Sequence, residues 1–187
     1  SLLHPIIQEL QNLSGKHYDS HQESMRVIAD HFRGAVFLAG NGVEPSNKEQ
    51  GYVMRRLMRR AIRFAFELGI EQEMCSKIAK IVIKIYQEAY PELKKSEANI
   101  VEVLVREEKI FRETLKKGLR EFSKRASGGL SGDDLFMLHD TYGFPMELSL
   151  EEAYKQGIEL EKDWRNVFDK AMQKQRDRSR TAGQGVF

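Results

Sequence analysis

Gly51-Tyr52-Val53-Met54-Arg55-Arg56-Leu57-Met58-Arg59-Arg60-Ala61-Ile62-Arg63-Phe64-Ala65-Phe66-Glu67-Leu68-Gly69 is the stretch that decides the fold class. At about 100° per residue, Val53, Leu57, Ala61, Phe64 and Leu68 share one sector of a helix, with Met54, Met58 and Ala65 beside them. Arg55, Arg56, Arg59, Arg60 and Arg63 fill the opposite sector, with only Glu67 against them. Like charges one turn apart repel by a few tenths of a kcal/mol per pair. Five guanidinium groups on one face therefore point to a polyanion or to carboxylates lying across from them. The planar fork of Arg suits phosphate and carboxylate alike. Contact with a nucleic-acid backbone would add affinity that salt removes. Pairing with acids of the core, or plain solvation, is the commoner fate of such a face, and the residues alone leave both open.

Outward from this helix, placed at about 48–68 and ended by Gly69, helical spacing recurs along almost the whole chain. Residues 2–13 read as a short helix entered near Pro5, followed by a polar loop from Gly15 to Ser20. Met25, Ile28, Ala29, Phe32, Val36 and Leu38–Ala39 mark a helix from about 21 to 40, stopped by a left-handed cap at Gly40-Asn41-Gly42. Val43-Glu44-Pro45-Ser46-Asn47 leads onward, with Ser46 or Asn47 suited to cap the arginine helix. A helix at about 71–89 is closed by Pro91. The next, at about 96–126, mixes Glu102, Glu107 and Glu108 with Arg106, Lys109 and Arg112 over a packing stripe of Leu104, Phe111, Leu115 and Phe122. A loop at 127–132, a short helix at 133–139, a turn at Thr141–Pro145, helices at 149–156 and 161–180, and a linker at Thr181–Gly185 complete the chain. Gly157–Leu160 is the strongest extended piece. The fold class is mainly α with little or no β, over residues 1–187, as two packed subdomains at about 1–92 and 93–187.

Lys plus Arg number 30 against 28 Asp plus Glu, a net charge of +2 that excludes a histone-like chain and an acidic tail protein. The balance hides a second basic cluster at Lys170, Lys174, Arg176, Arg178 and Arg180, opposed by Asp177 alone. One cysteine, Cys75, excludes an internal disulfide and a cysteine-built zinc site. No apolar run approaches the roughly 20 residues of a membrane span, and no signal peptide opens the chain. The start Ser-Leu-Leu, without Met, suggests a piece of something larger.

Other chemistry is sparse. His17 and His21 share helical spacing without a third ligand nearby, whereas zinc normally takes three or four protein ligands, so they read as surface histidines and no metal is assigned. Cys75 reads as a core thiol. Glycine-rich phosphate loops, GxSxG and HExxH are missing. Tyr52, Tyr142 and Phe144 could stack on bases, but aromatics at helix starts and turns are more often core anchors. The residues describe a binding module without a catalytic centre of its own. A helical scaffold that docks protein domains without touching RNA is the rival reading.

Two segments are more specific. Arg26-Val27-Ile28-Ala29-Asp30-His31-Phe32-Arg33 is followed by Gly42-Val43-Glu44-Pro45-Ser46-Asn47 and by Gly51 to Ala61 of the arginine helix. Further on stands Phe136-Met137-Leu138-His139-Asp140-Thr141-Tyr142-Gly143-Phe144-Pro145. In order and separation these closely resemble the alanyl-tRNA synthetase family, over essentially the whole chain. The sequence departs from the family's usual residues at Asn41, Gln50 and His139, where Asp, Arg and Tyr are usual.

The resemblance implies a helical tRNA-recognition domain of a class II aminoacyl-tRNA synthetase, lying between its catalytic and editing domains. It implies that the full enzyme is a cytoplasmic ligase joining alanine to tRNA-Ala, with ATP and Mg for the reaction and zinc for the editing domain. The fragment itself would hold no cofactor and would not be catalytic. Its partners would be the acceptor stem of tRNA-Ala and the neighbouring catalytic and editing domains. The family recognises a G·U wobble pair in that stem, and motif match assigns its reading to Asn47 and Asp140. In A-form RNA the wide minor groove displays guanine's exocyclic amine. A wobble pair leaves that amine unused, so a carboxylate such as Asp140 can accept from it, while an amide such as Asn47 offers donor and acceptor to the displaced uracil. Arg55, Arg56, Arg59, Arg60 and Arg63 would divide between the stem's backbone and internal ion pairs. The plainer roles are a helix cap for Asn47 and a turn acid for Asp140.

Overall fold

The computed structural model describes residues 2–184, of which the side chains of Ser179 and 181–184 are left undescribed. Its elements are α1 (His4–Ser14), a 3-10 turn at Tyr18–Ser20, α2 (Gln22–Gly40), α3 (Glu49–Glu67), α4 (Cys75–Tyr86), α5 (Pro91–Lys95), α6 (Glu97–Arg125), α7 (Gly132–Asp140), α8 (Met146–Gln156) and α9 (Trp164–Gln184). Among the described residues there is no strand, only isolated bridges at Ser127–Gly129 and Leu130–Leu160. Pro91 opens α5 rather than only closing what precedes it, because a proline in the first turn gives up an N–H that has no partner there. The expected linker at Thr181–Gly185 is helical as far as Gln184, and Gly185 lies outside the described residues. Two compact units divide at Arg112 and Glu113, inside α6, where the sequence reading divides the chain at about 92 and 93.

In the first unit α2 packs along α3. Met25, Ile28, Phe32 and Val36 of α2 and Met54, Met58, Ile62 and Ala65 of α3 are buried. The apolar face of α3 is thus rotated from the expected sector: Val53 is 50% exposed and Leu57 is half-buried. Ile62, left out of the expected sector, is fully buried, and Arg63 is only 5% exposed. Arg63 is tolerated there because Glu67, one turn on, pairs with it at 2.9 Å.

At the start of α4, Met74 stands at the N-cap position without a side-chain capping bond, and Glu73 before it accepts from the Ser76 N–H at 2.6 Å. Glu108 of α6 serves the two N–H groups before that one from a distance. Its carboxylate accepts from the backbone N–H of Met74 at 3.1 Å and of Cys75 at 2.9 Å, and Arg112 pairs with it at 2.8 Å. Arg112 also donates to the Ile70 carbonyl at 2.8 Å. The carboxylate therefore lies against both a helix N-terminus and a guanidinium, which is what keeps a charge at 1% exposure viable. Burial, then the Glu108 carboxylate, push the Cys75 thiol well above its ordinary range, so it sits as a protonated core group.

In the second unit the turn after α7 buries Phe144 against α6. Gly118 makes room for it: a Cβ there would lie 2.5 Å from the Phe144 ring. Gly118→Ala is expected to lower stability by about 1–2 kcal/mol, since overpacking of about 1–3 exceeds the roughly 1 kcal/mol of helix propensity gained. Urea unfolding reads this, and an unchanged or higher midpoint would refute the contact. Ser131 and Asp134 cap α7 reciprocally, with Ser131 Oγ accepting from the Asp134 N–H at 3.1 Å. Burial pushes the Asp134 carboxyl up, but its bonds from Ser131 and Arg125 outweigh that and hold it below the ordinary value. Gly132 lets α9 come close; a Cβ on it would lie 2.3 Å from the Trp164 carbonyl oxygen. Phe168 of α9 then packs edge-on to Phe136 and to the His139 ring, at centroid distances of 6.4 and 5.9 Å.

Candidate nucleic-acid interface

Asn47 lies exposed in the loop between α2 and α3. The loop is closed by the Ser46 N–H donating to the Gly51 carbonyl at 3.0 Å. Gly51 is required by that closure, because a Cβ would fall 2.1 Å from Ser46 Oγ and 2.5 Å from the Glu44 carbonyl oxygen. Neither Ser46 nor Asn47 caps α3: Lys48 occupies the N-cap position and no side chain makes the capping bond. The Ser46 hydroxyl is instead spent on Lys48, accepting from its N–H at 3.3 Å and donating to its carbonyl at 3.0 Å. Asn47 Oδ1 accepts from Arg55 Nη1 at 2.6 Å, and Arg55 Nη2 donates to the Pro45 carbonyl at 3.2 Å.

The arginines of α3 separate into two groups. Arg55 Nε lies 3.3 Å from Glu107 Oε1, and Arg59 Nε donates to the same oxygen at 3.1 Å. Glu107 is 4% exposed, and the Arg59 guanidinium also stacks over Phe111 at 5.0 Å. Burial lowers the Arg59 pKa, and Glu107 opposes the shift in part. With Arg63 held by Glu67, three of the five cations meet carboxylates of the protein itself. Arg56 and Arg60 are exposed, Arg60 lying 5.7 Å over the Phe64 ring. The single cationic ridge expected on α3 is therefore not present as such.

Asp140 ends α7, exposed, and its Oδ1 accepts from Gln175 Nε2 of α9 at 2.7 Å. It lines a groove of about 420 Å³ between α7 and α9. The remainder of its motif is structural: the Phe144 N–H donates to the Leu138 carbonyl at 2.8 Å, and the Phe144 side chain is fully buried. Asn47 thus belongs to the first unit and Asp140 to the second. Glu107, which holds Arg55 and Arg59, and Gln175, which holds Asp140, act across tertiary contacts that leave no signal in the sequence.

The other candidates sort simply. Phe144 is a core anchor, Tyr142 is half-buried, and Tyr52 is not an anchor but 45% exposed beside the Asn47 loop. His21 Nδ1 lies 3.2 Å from the His17 carbonyl oxygen, which ties that ring to backbone rather than to a metal-binding pair. Among the described residues no group of three or more His, Cys, Asp or Glu could hold a metal ion. No described helix is long and apolar enough to cross a membrane.

The family model for class II tRNA synthetases (A) matches residues 1–186. An alanine–tRNA ligase of Halalkalibacterium halodurans is 42% identical over 98% of this chain and 22% of its own length. Alanine–tRNA ligases of Desulforamulus reducens and Caulobacter vibrioides are 40% and 44% identical, over 96% and 87% of this chain and 21% and 19% of their own lengths. The chain spans about a fifth of the length of these relatives. One expectation is corrected by these matches. The helices were expected to form a separate tRNA-recognition domain after the catalytic core, yet the model matched from end to end is that of the class II catalytic domain. The placement rested on the resemblance of two motif segments, and such segments identify the family rather than the domain of a long enzyme in which they stand.

Proposed function

The chain belongs to the family of class II tRNA synthetases (A), and from that membership we propose that it is part of a cytoplasmic alanine–tRNA ligase and contacts the acceptor stem of tRNA-Ala, with Asn47 and Asp140 reading a G·U wobble pair. The whole enzyme would use ATP and Mg to esterify alanine to the tRNA, and zinc would serve its editing domain. No residue of this chain is assigned to those groups, and the editing domain would be a partner elsewhere in the longer protein.

The observation that carries the reading is the way both reading residues are held. Arg55 occupies the oxygen of the exposed Asn47 amide, which turns its NH2 into the end available to donate to a carbonyl of uracil. Gln175 occupies one oxygen of the exposed Asp140 carboxylate, and the other is suited to accept guanine's exocyclic amine. Each side chain is thereby fixed before RNA arrives, which lowers the ordering cost of binding. Arg56 and Arg60 are the α3 cations disposed toward phosphate, whereas Arg55, Arg59 and Arg63 serve ion pairs of the fold.

Titration of the 187-residue chain with acceptor-stem hairpins carrying G·U or G·C tests this. Tighter binding of the G·U hairpin is expected, and Asp140→Asn or Asn47→Ala should each remove about tenfold of the preference, the worth of one hydrogen bond of about 1–1.5 kcal/mol. Equal affinity for the two hairpins, unchanged by either substitution, would sink the assignment. The internal pairing of Arg55, Arg59 and Arg63 favours a second reading, a scaffold for neighbouring domains. That role predicts no RNA binding at low salt.

A further inference from the structure

The loop that presents Asn47, from Asn41 to Lys48, contains no helix or strand. Two adjacent residues of α6 reach it. Glu107 holds Arg55, whose terminal nitrogens donate to Asn47 Oδ1 and to the Pro45 carbonyl. Arg106 donates from Nη2 to Glu44 Oε2 at 2.8 Å, across 62 residues of sequence. The loop is thus gripped at Glu44 and again at Pro45 and Asn47, all within the first unit. The chain just beyond Asn47 is strained. Glu49, the first residue of α3, has φ of +48°, where the Cβ of an L residue crowds the following carbonyl oxygen. Such a conformation persists where the surroundings over-determine it. Ser46 supplies the local bonds, to Lys48 and Gly51, and α6 supplies the long-range ones. Both side chains of the Arg106–Glu44 pair are exposed, at 51% and 64%. An exposed pair adds little to global stability and is screened by salt. Its effect is local, on where an irregular loop rests.

We propose that Arg106 is a positioning residue for the reading of the G·U pair: by holding Glu44 it keeps the loop in the setting that presents the Asn47 amide. Glu107 and Arg106 divide the work. Glu107, through Arg55, sets which end of the amide faces outward, and Arg106 sets where the loop beneath it lies. When Arg106 lets go, the strain at Glu49 favours a shift of the loop, and Asn47 moves with it. Discrimination between base pairs then falls. A change of one exposed charge alters attraction to phosphate alike for every RNA stem, so the ratio of two affinities isolates positioning from charge. This inference rests on the proposed reading for what Asn47 contacts, and not for the hold on the loop.

The test is charge reversal in the 187-residue chain, singly as R106E and E44R and together as R106E/E44R. The first readout is the ratio of affinities for the G·U and G·C hairpins at low salt. Each single reversal should lower that ratio by about three- to fivefold, the reach of an exposed ion pair, and the double reversal should restore it to within about twofold. K109E makes the same charge change at another exposed cation of α6 and should leave the ratio in place. The second readout needs no RNA. Exchange of the Ser46 N–H, which donates to the Gly51 carbonyl at 3.0 Å, should quicken by a similar factor in each single variant and recover in the double one. Single reversals that leave the exchange rate unchanged, a double reversal that fails to restore it, or a quickened exchange with an unaltered hairpin ratio would overturn the proposal. Quickened and restored exchange in a chain that never distinguishes G·U from G·C would support the hold on the loop and overturn the wobble reading alone.

Discussion

Glu108→Ala is expected to destabilise the protein by about 3–5 kcal/mol, the range for breaking a buried ion pair and leaving one partner behind. Its loss strands the Arg112 guanidinium and removes the acceptor for the Met74 and Cys75 N–H groups at the start of α4. A natural domain has only about 5–15 kcal/mol in hand, so the variant should unfold at a markedly lower urea concentration. Glu108→Gln keeps an oxygen in place and should cost less than half as much, because neutral acceptors bond more weakly than charged ones. A loss below about 1 kcal/mol for the alanine variant would mean that α4 does not depend on α6 for its cap.

Glu107→Ala should cost about 3 kcal/mol, near the lower end of that range because Arg55 and Arg59 keep some access to water. Its second effect separates it from Glu108. Arg55 is held by Glu107 on one side and holds Asn47 on the other. Release should therefore weaken the G·U preference, while two guanidinium groups no longer neutralised by Glu107 raise RNA affinity without regard to sequence and steepen its salt dependence. Hairpin titrations under conditions where the variant remains folded read both. An unchanged preference and salt slope would show that Glu107 serves stability alone.

How far the sequence carried the structure follows from where each signal resides. Helical spacing and turn residues are local, so α1, α2, α3 and α6 lie close to their expected extents. The expected helix at 71–89 is shorter, beginning at Cys75. The bond to its first N–H comes from a carboxylate 33 residues further along the chain, which no local pattern announces. The rotated face of α3 has a similar cause. Two adjacent sectors both looked apolar, and the Glu107 carboxylate on α6 allowed Arg55 and Arg59 to turn partly inward. Asn47 and Asp140 were singled out through motifs, and both are exposed. Gln175, which holds Asp140, was not, since a hydrogen bond spanning 35 residues leaves no periodic trace. The arginine count drew attention to α3, yet three of its five arginines are paired with acids of the protein, and that distinction needs the positions of the acids as well as the bases.

The one cysteine of the chain sits under the carboxylate that starts α4, fully buried and protonated. An alkylating reagent reaches its sulfur only when that helix end lifts away, and thiolate is scarce until it does. The rate of labelling at this single atom is thus a native clock for local opening, needing no engineered dye. It ticks for the first unit alone.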